Sequence, residues 1–288
     1  MIGFIVPDIS SGFYANALKG AQHRLQAAGY QIALMDTDER PDRERAALLA
    51  LAGRVDGFIL CSSADDGSVV RSIERRFHLP IVLFDNLLDG VGAGRITLAN
   101  EAGVQILVGH LAEVHGHQRI GYVGGIESET SGAERLAGYR MGMLGSGLPI
   151  DERCVRPGDW TESAGRHETA ALLDLEEPVS SIVYPCADLA LGGLSELRAR
   201  GIAVPDEIAI VCFDDSDAAP LLDPPLTVLA RRDRDIGDLA ASMVLRAIEH
   251  TNGGPMDVRI SMELAVRRSC GCGRSEANLR AGGGPDGA

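Results

Sequence analysis

Apolar and polar positions follow one another along this chain in two alternating rhythms. Ile2–Val6 is an unbroken apolar run, the pattern of a strand buried on both faces. Next, Phe13, Ala17, Leu18, Ala21, Leu25 and Ala28 recur at helical spacing, and Gly29 stops that helix. The pair repeats. Strands are predicted at 31–35, 55–60, 80–84, 96–98, 119–123, 180–184, 208–213 and 226–229, with one or two more within 257–265. Helices are predicted at 42–52, 69–77, 101–115, 131–145, 163–173, 189–200 and 235–250. Short apolar strands between amphipathic helices define an α/β fold with parallel sheets covered on both faces. The units are too many for one sheet. Strands before and after Asn100 form two sets of similar size, which predicts two doubly wound, parallel-sheet subdomains. Ligands of such sheets bind beyond the carboxyl ends of the strands, so the expected site is a cleft between the subdomains.

Composition narrows the partners. With 45% hydrophobic and 24% charged residues, the 288-residue chain has the balance of a soluble globular protein. It holds no run of membrane-spanning length and no basic segment ahead of its first apolar run, so a cytoplasmic location is expected. Six scattered cysteines suggest reduced thiols and no disulfide framework. The formal net charge is −14 and Lys19 is the single lysine, so these residues are not expected to bind nucleic acid or anionic membranes themselves. Small neutral ligands remain open. From Gly271 the chain is Gly-rich and aperiodic, and 271–288 is expected to be a disordered tail.

Chemistry gathers where strands end. Pro7-Asp8-Ile9-Ser10-Ser11-Gly12-Phe13-Tyr14 follows the first strand, Cys61-Ser62-Ser63 the third, and Asp85-Asn86 the fourth. Gly124-Gly125 leads on to Arg135, and Asp214-Asp215 follows Phe213. Hydroxyls, carboxylates, an amide, an arginine and flat rings are the set that a sugar requires. For any one Asp or Ser at such a position, turn formation or helix capping is the favoured account, and it is the recurrence at five strand ends that points to a ligand. No GxGxxG follows a strand, and no P-loop, HExxH or GxSxG occurs, so an enzyme is not expected. Cys270-Gly-Cys272 reads as part of a fraying terminus, and no metal site or cofactor is expected.

Seven stretches occur in order: IGFIVPDISSGFYANALKGAQHRLQAAGYQIAL, RVDGFIL, LPIVLFDN, GHQRIGYVGG, ERLAGYRMGM, VPDEIAIVCFDD and DPPLTVL. Together they resemble the effector-sensing core of the lactose/galactose-repressor (LacI/GalR) family of bacterial transcription regulators, over about residues 2–270. The resemblance implies a periplasmic-binding-protein-like fold whose subdomains are joined by a three-crossover hinge. It divides the chain into 1–99 plus 232–260 and 100–231 plus 261–270. By position it implies that Phe13 stacks on the ligand, that Arg135 and Asp214 hydrogen-bond it, and that Trp160 lines the pocket. Asn100 and Arg231 match crossover positions at the pocket floor. Ser11, Ser62 and Asp85 join them from the strand ends.

The chain departs from the family's pattern at several of these places. Arg231 stands where glutamine is usual, Cys186-Ala187 where Asn-Asp is usual, and Ala99 where Asp is usual. The family's Asn contact to the ligand is thereby missing, and Asp188 is the nearest residue to substitute for it. Asp215 is read as the cap of a following helix, and His115-Gly-His117 as the family's turn. The implied function is to sense a small effector, a sugar or sugar derivative, as a homodimer. Operator DNA would be reached only through a helix-turn-helix headpiece that these residues do not contain. The alternative is a solute-binding receptor of a transporter or sensor kinase.

Overall fold

The computed structural model describes residues 1–63, 66–249 and 256–273. The elements follow in chain order as β1 Ile2–Val6, α1 Gly12–Ala27, β2 Ile32–Asp36, α2 Pro41–Leu51, β3 Gly57–Leu60, α3 Ser68–Phe77, β4 Ile81–Phe84 and β5 Gly94–Leu98. Then come α4 Asn100–Gly109, β6 Ile120–Val123, α5 Thr130–Gly145, β7 Val155–Arg156, α6 Glu162–Leu173, β8 Ser181–Tyr184, α7 Ala187–Ala199, β9 Ala209–Cys212 and β10 Thr227–Ala230. The last are α8 Asp233–Ile248, β11 Met256–Ile260 and β12 Glu263–Ala265.

The chain forms two compact units. The first comprises Met1–Asn100, Ser128–Ala133 and Arg231–Ser261. Its six-stranded sheet runs β11-β5-β4-β3-β1-β2 with every pair parallel. Strands β1, β3 and β4 are buried along their whole length, as their unbroken apolar runs require. Helices α1 and α8 cross at backbone distance: a Cβ on Gly20 would lie 1.9 Å from the Arg234 carbonyl oxygen, and one on Gly237 1.7 Å from that of Ala17. One core under the sheet is built from Ile5, Leu48, Phe58, Leu60, Ile73 and Leu83 among others.

The second unit comprises 101–127, 134–230 and the chain from Met262. Its sheet runs β12-β10-β9-β8-β6-β7, parallel except for the antiparallel β10–β12 pair. Val123, Leu172, Ile182, Tyr184, Leu189, Ile210 and Val228 form its core. Both sheets are thus parallel-dominated and helix-covered, as the hydrophobic pattern requires.

Four particulars differ from the sequence expectation. Asn100, Arg231 and Ser261 cluster with the first unit, and so does the short stretch Ser128–Ala133 at the start of α5. Asn86 Oδ1 explains that stretch, because it accepts from both the backbone N–H and the hydroxyl of Ser131, at 3.1 and 2.9 Å. The helix expected over 101–115 is α-helical only to Gly109 and continues as a π turn, His110–Val114. The two-residue strand β7 is too short to leave a periodic signal. Residues 270–273 do not fray: Cys270 is 1% exposed and packs against the end of the π turn. The rest of the expected tail, 274–288, lies outside the described residues.

Candidate functional site

The first unit presents its polar groups where β1, β3 and β4 end, and at Arg231 and Asn100 ahead of α8 and α4. Ser11 caps α1 through its backbone, accepting from the Ala15 N–H, while its hydroxyl makes no cap bond. One turn on, the Phe13 ring lies half-buried against Tyr14 and Phe84, at 5.0 and 6.1 Å between centroids. Tyr14 donates its hydroxyl to Asp85 Oδ2 at 3.2 Å, and Cys61 Sγ donates to that same hydroxyl at 3.4 Å. Burial, then the nearby Cys61 and Asp85, push the Tyr14 hydroxyl well above its ordinary pKa. Tyr14 therefore stays a hydrogen-bond donor at neutral pH. Asp85 is 7% exposed and sits at φ 65°, a left-handed conformation uncommon outside glycine.

Arg231 closes this set. Its side chain is 3% exposed, its Nε donates to Asp233 Oδ1 at 2.7 Å, and its guanidinium lies 4.5 Å from the Phe13 ring centre. Asn100 is fully buried at the first position of α4. Ser62 is 2% exposed, and its hydroxyl donates to Glu44 Oε1 at 2.7 Å. Glu44 Oε2 accepts from the Ser63 N–H, also at 2.7 Å. Sequence reading selected Ser62 and passed over Glu44, whose partners lie 18 and 19 positions away along the chain.

The second unit carries the other set. Arg135 is 4% exposed on α5, its Nη1 donates to the Pro185 carbonyl at 2.7 Å, and its guanidinium lies 3.9 Å from the Phe213 ring centre and 5.4 Å from that of Trp160. Asp214 follows Phe213 directly and is partly exposed at the end of β9. Cys186 donates its thiol to the Trp160 carbonyl at 3.6 Å. Burial, and then Asp214, raise its pKa, so the thiol is neutral. Asp188 is exposed in the first turn of α7, where a carboxylate suits the helix dipole. Asp215 does not cap a helix: Arg267 grips it with both terminal nitrogens, at 3.0 and 2.9 Å. Tyr122, buried on β6, has a hydroxyl with no hydrogen-bond partner among the described residues.

Each unit thus offers a buried arginine on an aromatic face with a carboxylate among the strand ends, a set that recognises neutral polar molecules with apolar faces. No motif ties these arrangements to bond-making chemistry. They define a ligand-sensing α/β fold. Residues 108–270, more than half the chain, match the family described as a periplasmic binding protein-like domain. The chain is 28% identical over 267 residues to the HTH-type transcriptional repressor CytR of Escherichia coli (strain K12), covering 92% of this chain and 77% of that protein. It is 27% identical over 270 residues to catabolite control protein A of Priestia megaterium, covering 93% and 81%. A structure of the transcriptional regulator CelR in complex with cellobiose superposes with a TM-score of 0.85 at 27% identity, covering 93% of this chain and 84% of that one. The chain belongs to the periplasmic binding protein-like family, as the effector-sensing domain of a LacI-type transcriptional regulator.

Proposed function

We propose that the effector is a sugar or sugar derivative, with Phe13, Asp85, Asn100 and Arg231 as the candidate contacts offered by the first unit, and Arg135, Trp160 and Asp214 as those offered by the second. Ser11 and Ser62, which follow β1 and β3, and Asp188, in the first turn of α7, complete the candidate set. The carrying observation is the Arg135 guanidinium, 4% exposed and 3.9 Å from the Phe213 ring, beside a carboxylate on the next residue. A buried, planar donor next to an acceptor and two rings binds vicinal hydroxyls and a C–H face together. The cellobiose held by the related CelR supports the same ligand class.

The chain acts as a cytoplasmic homodimer and catalyses nothing. An effector that binds one conformation better than another shifts the populations, and so changes the DNA affinity of an attached reading segment. The test is a thermal-shift screen of sugars, sugar phosphates and purine nucleosides, followed by calorimetry. A sugar hit that Asp214→Asn weakens supports the reading. Stabilisation by purines alone overturns it.

A further inference from the structure

Apart from the groups just described, the second unit brings together four side chains with affinity for metals. His110 and His115 stand at the two ends of the π turn, and Cys270 and Cys272 lie on the chain after β12. The two pairs are 155 or more residues apart, yet all four donor atoms lie within 4.8 Å of one another. His110 Nε2 is 3.2 Å from Cys270 Sγ and 3.8 Å from Cys272 Sγ, and His115 Nε2 is 3.3 Å from Cys272 Sγ. Around a tetrahedral zinc with ordinary bond lengths, such donors stand about 3.3–3.8 Å apart.

Local geometry accounts for the convergence. In an α-helix, residues five apart point in different directions, whereas the π turn bonds i to i+5 and brings them towards one side. The His110 and His115 rings meet edge to face at 4.9 Å between centroids. Gly271 takes φ 103°, and a Cβ there would lie 3.3 Å from His115 Nδ1, so only glycine lets the Cys-x-Cys loop close on that ring. Buried Thr227 donates its hydroxyl to Cys270 Sγ at 3.2 Å and accepts the Arg267 N–H, an outer partner of the kind that orients a ligating sulfur. His117 is not part of the group; its Nδ1 pairs with the Ser180 hydroxyl at 2.9 Å.

We propose that His110, His115, Cys270 and Cys272 form a zinc site that fastens the chain after β12 to the end of helix α4. Two thiolates and two imidazoles in a closed tetrahedral set select zinc over hard cations, and four protein ligands leave no open position, as in structural centres. Zinc binding forms two Zn–S and two Zn–N bonds and releases the two thiol protons to solvent. The ion cross-links distant parts of the unit and adds its binding free energy to folding.

The experiment uses the full chain without an affinity tag, purified under reducing conditions from zinc-supplemented medium. Mass spectrometry of dissolved metal is expected to find about one zinc per chain. Cys272→Ser and His115→Asn, both at partly exposed positions, should each lower that content at least about fivefold while keeping the circular dichroism of the fold. His167→Asn, far out on the surface, should change nothing. Cobalt substituted for zinc should give the intense visible bands of tetrahedral thiolate ligation, and Cys272→Ser should lose the sulfur-to-cobalt charge-transfer band. Removing the zinc with a chelator should lower Tm by about 5 °C or more. A folded, reduced wild-type chain with under about a tenth of an equivalent of zinc overturns the proposal. So does equal zinc in both ligand variants, iron with inorganic sulfide in its place, or a Cys270–Cys272 disulfide in the freshly purified chain.

Discussion

The guanidinium of Arg231 lies 4.5 Å from the centre of the Phe13 ring, joining residues 218 positions apart. The same side chain is 3% exposed and bound to Asp233. An arginine so placed is fixed, and it holds the aromatic face in position. Arg231→Ala leaves the Asp233 carboxylate without its guanidinium and should destabilise the first unit by about 3–5 kcal/mol in urea unfolding. The double variant Arg231→Met, Asp233→Asn removes both charges and should lose clearly less than the single one. Equal losses would mean that stacking on Phe13, and not the ion pair, carries the stability.

Asp214 tests the effector site with little disturbance to the fold, because it is partly exposed and Asn keeps its shape. Asp214→Asn should weaken effector binding by about 2–4 kcal/mol, since a charged acceptor of hydroxyls is lost. Calorimetry should therefore show a Kd about 30- to 700-fold higher with an unchanged melting temperature of the free protein. An unchanged Kd removes Asp214 from the site.

Glu44 sets a pH dependence. Burial raises its pKa, and the hydrogen bonds from Ser62 and the Ser63 N–H only partly offset this. An acid whose folded pKa lies above its unfolded value contributes stability at low pH and loses it as pH rises through the folded pKa. Glu44→Gln cannot ionise. The stability of the wild-type chain minus that of this variant should fall as pH is raised from below the ordinary carboxylate range to neutrality, measured by urea unfolding at matched salt. A difference that is flat or rises would show that the hydrogen bonds outweigh burial.

The proposed homodimer can be tested on the second unit. Ile106, Met141 and Leu144 are 42%, 51% and 65% exposed, on α4 and the adjacent α5, where Gln105 Nε2 contacts Met141 Sδ at 3.8 Å. Apolar side chains grouped on two neighbouring helices suit an isologous interface. Light scattering should give about twice 30.4 kDa, and Leu144→Glu should halve it. A wild-type monomer at tens of micromolar would count against the dimer.

The strands were legible because each central one is buried on both faces, and that demands an unbroken apolar run such as Ile2–Val6 or Ile81–Phe84. The strand-end placement of Phe13, Asp85 and Asp214 follows from those runs. What the chain's linear pattern hides is pairing across long separations. Nothing near Arg231 announces Phe13, and nothing near Ser62 announces Glu44, whose carboxylate on α2 meets the Ser62 hydroxyl and the Ser63 N–H only in the fold. The histidine–cysteine group is hidden twice over. Its two pairs are 155 or more residues apart, and a π turn breaks the 3.6-residue period by which His110 and His115 would be judged to face apart.

The remaining prediction concerns DNA. The 288 residues carry a net charge of −14 and a single lysine, Lys19. A protein gains DNA affinity by releasing counterions from phosphates and specificity by reading base edges, and this surface supplies little for either. On their own, these residues should show no measurable operator binding at physiological salt in an anisotropy titration. Fused behind a helix-turn-helix segment and hinge, the same residues should confer effector control, shifting DNA affinity by about 1–3 kcal/mol, the ordinary size of an allosteric coupling. Linkage then requires DNA to shift effector affinity by the same factor, so calorimetry on the fusion with and without operator checks the first number independently. Tight, sequence-dependent binding by the unfused chain would reveal a DNA site on a surface whose charge argues against one. A fusion that binds DNA but responds to no metabolite would mean that ligand contacts have been lost. Cys186, Ala187 and Arg231, where this chain departs from its family, are then the positions to restore first.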